Sequence, residues 1–145
     1  MVYQRRPIYF ITMCTAERRK LLANPAIHDA FRSFAKAGAD VGAWIGSYIL
    51  MPDHLHPLVR IDGERLTLSS WMKSLKGTLS LELRHSQSSA PFWQKGFFDH
   101  ILRSSDSHSA KWNYVRENAV RAGLAPQWQQ WPYLGEIFDL EFRPD

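Results

Sequence analysis

"VGAWIGSYILMPDHLHPLVRI", Val41 to Ile61, decides the fold. Val41–Leu50 and His54–Ile61 are both rich in the β-branched, aliphatic and aromatic residues that strands favour. Between them stand only Met51, Pro52 and Asp53, and Pro-Asp is turn chemistry. The chain therefore reverses at once, and the two strands pair as an antiparallel hairpin.

The elements on either side follow from pattern. Ile8–Thr15 reads as a strand. A helix is predicted from Pro25 to Ala39, with Asn24 as N-cap and Ile27, Ala30, Phe31, Phe34 and Ala35 at helical spacing. A second helix, Leu68–Arg84, carries Trp71, Leu75, Leu79 and Leu83 on one side. "FWQKGFFDHILR", 92–103, has Gly96 between apolar stretches and reads as a bent or bulged fourth strand. Ser105 or Ser107 then caps a third helix running to Ala122, with Gly123 at its end. "APQWQQWPYLG", 125–135, is a Trp- and Pro-rich closing segment. The order β-α-β-β-α-β-α predicts an α+β domain of ferredoxin-like (split βαβ) type. That is an antiparallel sheet with two helices on one face, plus an added C-terminal helix. All of 1–145 is read as a single domain.

Composition narrows the class. A chain of 145 residues, 45% hydrophobic, suits one domain with a real core. Its apolar runs are all too short to span a membrane. "MVYQRRPIYFITMCT" is followed by "ERRK" with no small-residue cleavage site, so it reads as a strand rather than a leader. The lone Cys14 excludes an internal disulfide framework, and a cytoplasmic location is expected. Net charge is +4, but residues 136–145 form an acidic tail with four acids and one base. The body before that tail is strongly basic, which points to a polyanion such as nucleic acid.

The chemistry starts with His54 and His56. One residue apart on a strand, they share a face while Leu55 points away, so the two imidazoles can share a metal ion. Asp53 points away from them on a regular strand, or lies in the turn. A metal site usually needs a third ligand, and "SAKWNYVRENAVRAG", 109–123, is the place to look for it. Trp112, Val115, Ala119 and Ala122 mark the packed stripe there, and Tyr114 and Asn118 flank it four residues apart, with Arg121 continuing their face.

"MPDHLHPLV", "FWQKGFFDHILR" and "YVRENAVRAGL", in that order, resemble the three signatures of the single-tyrosine HUH transposases, and among them the REP-associated tyrosine transposase branch. The resemblance covers nearly the whole chain. It implies that His54 and His56 bind the metal, that Asn118 is the third ligand and that Tyr114 is the nucleophile. It also implies Mg²⁺ or Mn²⁺ as cofactor and single-stranded DNA with hairpin or palindromic repeats as partner, with the enzyme a monomer or homodimer. Tyr114 would attack a backbone phosphorus, giving a 5′-phosphotyrosine link and a free 3′-hydroxyl that later reseals a strand. Lys73, Lys76, Arg103, Arg116 and Arg121 are the candidate DNA contacts, with Arg5, Arg6, Arg18, Arg19 and Lys20 flanking the first strand. Trp93, Phe97 and Phe98 suit either base stacking or core packing.

Two positions depart from the family pattern. Ala119 replaces the proline of "NPV", which predicts a continuous third helix. Pro57 follows the second histidine, which predicts a bulge or an edge at that point. Two other readings compete. One is a non-catalytic, domesticated nucleic-acid-binding protein of the same fold. The other is a two-histidine phosphodiesterase, for which His85 offers a loose second motif in a loop.

Overall fold

A computed structural model describes residues 7–140. The strands are β1 (Ile8–Cys14), β2 (Ala43–Leu50), β3 (His54–Ile61), β4 (Phe98–Leu102) and β5 (Leu134–Glu136). The helices are α1 (Pro25–Ala37), α2 (Leu68–His85), α3 (Ser105–Val115) and α4 (Asn118–Arg121). The strands form one sheet in the order β4-β1-β3-β2-β5, antiparallel throughout. The first four strands stand in the order that two interleaved βαβ units produce. The fold is thus α+β, with the histidine strand at the centre of the sheet.

Alternation along the strands sorts the molecule into two layers. Ile11 and Met13 of β1 and Leu55, Val59 and Ile61 of β3 face α1 and α2 in one apolar cluster. That cluster takes Ile27, Phe31 and Ala35 from α1 and Trp71, Leu75, Leu79 and Leu83 from α2, the side chains that helical spacing singled out. The opposite face carries Ile8, Phe10 and Leu58, and is covered by the C-terminal part of the chain. Val115 and Ala119 pack there on Ile49 and Met51, and Leu140 packs with Ile8 and Leu58. A Cβ at Gly46 would come within 2.8 Å of Leu140, so glycine is what lets this covering segment lie close.

Several boundaries differ from expectation. α1 stops at Ala37 and tightens into a 3-10 turn over Gly38–Val41, so β2 starts at Ala43. The fourth strand is only Phe98–Leu102, because Gly96 takes a positive φ of 76° and turns the chain just before it. Ser104, not Ser105 or Ser107, is the N-cap of α3, in a reciprocal capping box with Ser107. The third helix is not continuous. At Arg116 and Glu117 it tightens, the Glu117 N–H donating to the Tyr114 carbonyl three residues back, and α4 starts afresh at Asn118. The break occurs without proline, and both Val115 and Ala119 stay buried across it. Finally, β5 arises within the closing segment and pairs with β2. Pro57 lies on the central strand rather than an edge, opposite Tyr48, where the β2–β3 register shifts between Ile45 and Tyr48. No helix among the described residues is long and apolar enough to cross a membrane. Arg5, Arg6 and residues 141–145 of the acidic tail lie outside the described residues.

Candidate active site

The two histidines sit side by side on the face of β3 away from α1 and α2, their ring centroids 4.9 Å apart. Each has its inner nitrogen tied back. His54 Nδ1 donates to the Asp53 carboxylate at 2.8 Å. His56 Nδ1 lies 3.2 Å from the Ile11 carbonyl and 3.1 Å from the Thr12 hydroxyl. A carboxylate and a carbonyl can only accept, so the proton belongs on Nδ1 in both rings, and both Nε2 atoms are left as lone-pair donors. Ligating histidines are commonly oriented in this way by a second hydrogen bond. Phe10 stacks on His56 with centroids 4.9 Å apart and rings 19° from parallel, which fixes that ring further.

Asp53 lies in the turn and is itself held. Arg18 Nε donates to its other oxygen at 2.9 Å. Burial pushes the Asp53 carboxyl up, but the hydrogen bonds and charges of Arg18 and His54 outweigh it and hold the group below its ordinary value. Arg18 reaches this position from a strained segment: Glu17 and Arg18 have φ of 55° and 53°, left-handed backbone that non-glycine residues adopt at a cost of roughly 1–3 kcal/mol each. Replacing Asp53 with alanine frees the His54 ring and is expected to weaken Mn²⁺ binding about 10- to 100-fold. Titration of Mn²⁺ with the free-ion EPR signal measures this, and unchanged affinity contradicts the assigned orienting role.

Burial holds the His56 imidazole down at about 4, helped by the charges of His54 and Lys111 and opposed by its bond to Ile11. The unfolded chain therefore binds more protons than the folded one between pH 6.5 and about 4. Stability from this group is full above that window and is lost as pH falls through it, by about 3 kcal/mol. His28 and His108 are also lowered, chiefly by burial, and push in the same direction. The measurement is accordingly a difference: in chelator, the urea midpoint of the wild type falls further between about pH 7 and about pH 4.5 than that of His56→Gln. Equal falls would assign the pH dependence elsewhere.

Tyr114 is one of the few exposed large aromatic side chains among the described residues, 63% accessible near the end of α3. The position of its helix edge is fixed on two sides. Val115 packs on Ile49, the residue directly opposite His56 in the sheet. Lys111, one turn before Tyr114, holds its ammonium 4.9 Å from the centre of the Phe10 ring that stacks on His56. α3 thus passes close to the histidine pair at Lys111. Beyond the helix break, Asn118 Oδ1 accepts a hydrogen bond from Arg121, and the Arg121 guanidinium lies 3.9 Å from the centroid of the Tyr114 ring. Tyr114, Asn118 and Arg121 are brought together by these contacts, and not by the regular four-residue spacing of one helix.

The other cations are scattered. α2 packs on the opposite face of the sheet, and Lys73 lies on it, exposed. Lys76, also on α2, donates to the Gly96 carbonyl at 2.7 Å and the Gln94 carbonyl at 3.3 Å, bracing the loop before β4. Burial lowers its pKa. Arg103 is exposed just after β4. Arg116 lays its guanidinium 4.4 Å from the centroid of Trp128. Trp93 and Phe97 pack against the main core, whereas Phe98 is 71% accessible. His85 ends α2 beside Glu82, remote from the histidine pair, which removes the second motif a two-histidine phosphodiesterase needs.

By sequence Asp53 fits either strand or turn, and no local pattern marks Phe10, Thr12 or Lys111. The strand order carried part of that signal. Once β1 pairs with β3, its even-numbered residues share the histidine face.

Two imidazoles side by side on a rigid strand, each with Nδ1 tied back, suit a divalent cation. Among the described residues no cluster of three or more His, Cys, Asp or Glu side chains offers an alternative.

Paired imidazoles at the centre of an antiparallel sheet and an exposed tyrosine on a late helix are the features that the resemblance to the single-tyrosine HUH transposases implies. The chain belongs to the IS200-like transposase family, whose sequence model matches residues 4–118, and it is an enzyme of the tyrosine transposase class. It is 22% identical over 132 residues to the REP-associated tyrosine transposase of Escherichia coli (strain K12), covering 90% of this chain and 77% of that one. A Haemophilus influenzae relative, provisionally given the same name, is 23% identical over 137 residues, covering 87% and 77%. Among solved structures, a REP-associated tyrosine transposase bound to a REP hairpin aligns with a TM-score of 0.67, 19% identity and coverage of 96% of this chain and 92% of that one. That last likeness is one of fold.

Proposed function

We propose that this transposase cuts and rejoins single-stranded DNA next to a hairpin or imperfect palindrome, with Tyr114 as nucleophile and His54, His56 and Asn118 as the holders of a Mg²⁺ or Mn²⁺ ion. The hairpin partner is suggested by the DNA in the related solved structure. The phenol oxygen of Tyr114 forms a bond to phosphorus as the bond to the 3′-oxygen breaks. The phenol proton passes to solvent and the departing 3′-oxygen takes one up. A 3′-hydroxyl reverses the step on the same or another strand, so the bond energy is kept and no nucleotide cofactor is needed. When bound, the cation polarises the non-bridging phosphate oxygen and stabilises charge that grows there.

Each side chain has a task in this scheme. Asp53 and the Ile11 carbonyl hold the two rings with Nε2 outward. Asn118 must leave Arg121 to ligate, and the freed guanidinium can then meet a phosphate. The observation that carries the reading is the pairing of an exposed tyrosine with imidazoles whose tautomers are already set for ligation.

The competing non-catalytic reading draws support from one contact, the engagement of Asn118 by Arg121. The two are separated by incubating the protein with a labelled hairpin-bearing strand and Mn²⁺ or Mg²⁺. A covalent protein–DNA band on a denaturing gel supports transfer, while tight binding without a band supports the binding protein.

A further inference from the structure

Lys111 is the cation nearest the histidine pair on the tyrosine helix, and no local pattern singles it out. It lies three residues before Tyr114 and four before the buried Val115, so it shares the helix edge that borders β1 and β3. Its ammonium is held over the Phe10 ring, 4.9 Å from the centroid, and Phe10 in turn stacks on His56. Among the described residues no carboxylate lies within ion-pair distance of it.

An ammonium with no carboxylate partner among the described residues, beside two imidazoles suited to a cation, is an electrostatic oddity. Two like charges at close range repel unless an anion lies between them. A purely structural lysine would gain more from a carboxylate partner. The arrangement makes sense when a phosphodiester completes it. Its oxygens then meet the cation site on one side and the ammonium on the other, and Tyr114 stands one helical turn along from Lys111. The Phe10 ring supports such a role, because a cation held over an aromatic face keeps its outward N–H groups free to donate.

We propose that Lys111 is a phosphate-binding residue of the active site, contacting the scissile phosphodiester or its immediate neighbour and placing it against the Tyr114 hydroxyl. This rests on the strand-transfer reading above for the identity of the ligand, single-stranded DNA.

The test is binding in chelator, where neither metal nor turnover enters. Fluorescence anisotropy measures the affinity of wild type, Lys111→Met and Lys111→Arg for one labelled hairpin strand at several salt concentrations. Lys111→Met keeps the aliphatic contact with Phe10 and is expected to bind roughly ten-fold more weakly. Its plot of log affinity against log salt should be shallower by about one unit of slope, and Lys111→Arg should restore most of both. A second series replaces single phosphates near the cleavage point with neutral methylphosphonates. At one or two adjacent positions wild type and Lys111→Met should become equal, and elsewhere the difference should persist.

A salt slope unchanged by Lys111→Met, or a methylphosphonate series in which the two proteins differ equally at every position, overturns the assignment and leaves Lys111 as a packing residue. Strand transfer itself is read separately, from the covalent band formed by the wild type. That band can be present while Lys111 fails, and absent while Lys111 binds.

Discussion

His56→Ala loses divalent-cation binding and strand transfer together. The variant removes one of two imidazole donors, and the remaining His54 cannot hold a weakly bound Mg²⁺ or Mn²⁺ alone. The account assigns the cation several kcal/mol of charge stabilisation at the phosphate, so covalent adduct should form at least about a hundred-fold more slowly. DNA binding in chelator should change little, because the imidazole does not pair with phosphate in this scheme. Removal of the ring also unstacks Phe10, so the thermal midpoint is measured alongside, and His56→Gln serves as a smaller perturbation of the same donor. Rapid strand transfer by a folded variant that no longer binds Mn²⁺ would sever the histidines from the chemistry.

Tyr114→Phe removes a single oxygen. Because the ring is 63% accessible and its contact with Arg121 is made through the ring face, the variant should fold and bind DNA as the wild type does. Covalent adduct should vanish altogether, since the nearest residues of that helix edge, Ala110, Lys111 and Asn118, carry no hydroxyl. The neighbours in sequence, Asn113 and Val115, carry no hydroxyl. The expected effect is the largest of any substitution here, and a denaturing gel over several hours is sufficient to read it. Persistent adduct at more than about one per cent of the wild-type rate would point to another nucleophile.

Much of this was legible in the chain. The hairpin from Val41 to Ile61 set the middle of the sheet, and turn chemistry at Pro52-Asp53 set its register, so the shared face of His54 and His56 followed from alternation alone. The cores of α1 and α2 were visible as helical stripes. Less legible were features that depend on contacts distant in sequence. β5 has only three residues and is a strand because β2 offers it an open edge. The break after Val115 has no proline to announce it, and it depends on how Val115 and Ala119 both seat on Ile49 and Met51. Asp53 could be placed in the turn, but its partnership with Arg18 arises from two left-handed residues that no local pattern foretold. Lys111 carries no local signal in the chain, because only the placement of β1 brings Phe10 beneath it. Lys73 and Lys76 show the converse. Their charge was plain, but only the packing of α2 shows that they lie behind the sheet from the histidines.

The central claim is that one tyrosine on the late helix becomes joined to DNA at a phosphate served by the histidine pair. The most direct measurement is to form the covalent complex with a hairpin-bearing strand and Mn²⁺, digest protein and DNA, and sequence the modified peptide by mass spectrometry. The account predicts a nucleotide 5′-phosphate on Tyr114 and on no other residue, with a free 3′-hydroxyl on the released fragment. A phosphate carried by a different side chain, or a linkage through the 3′ end of the DNA, would contradict it.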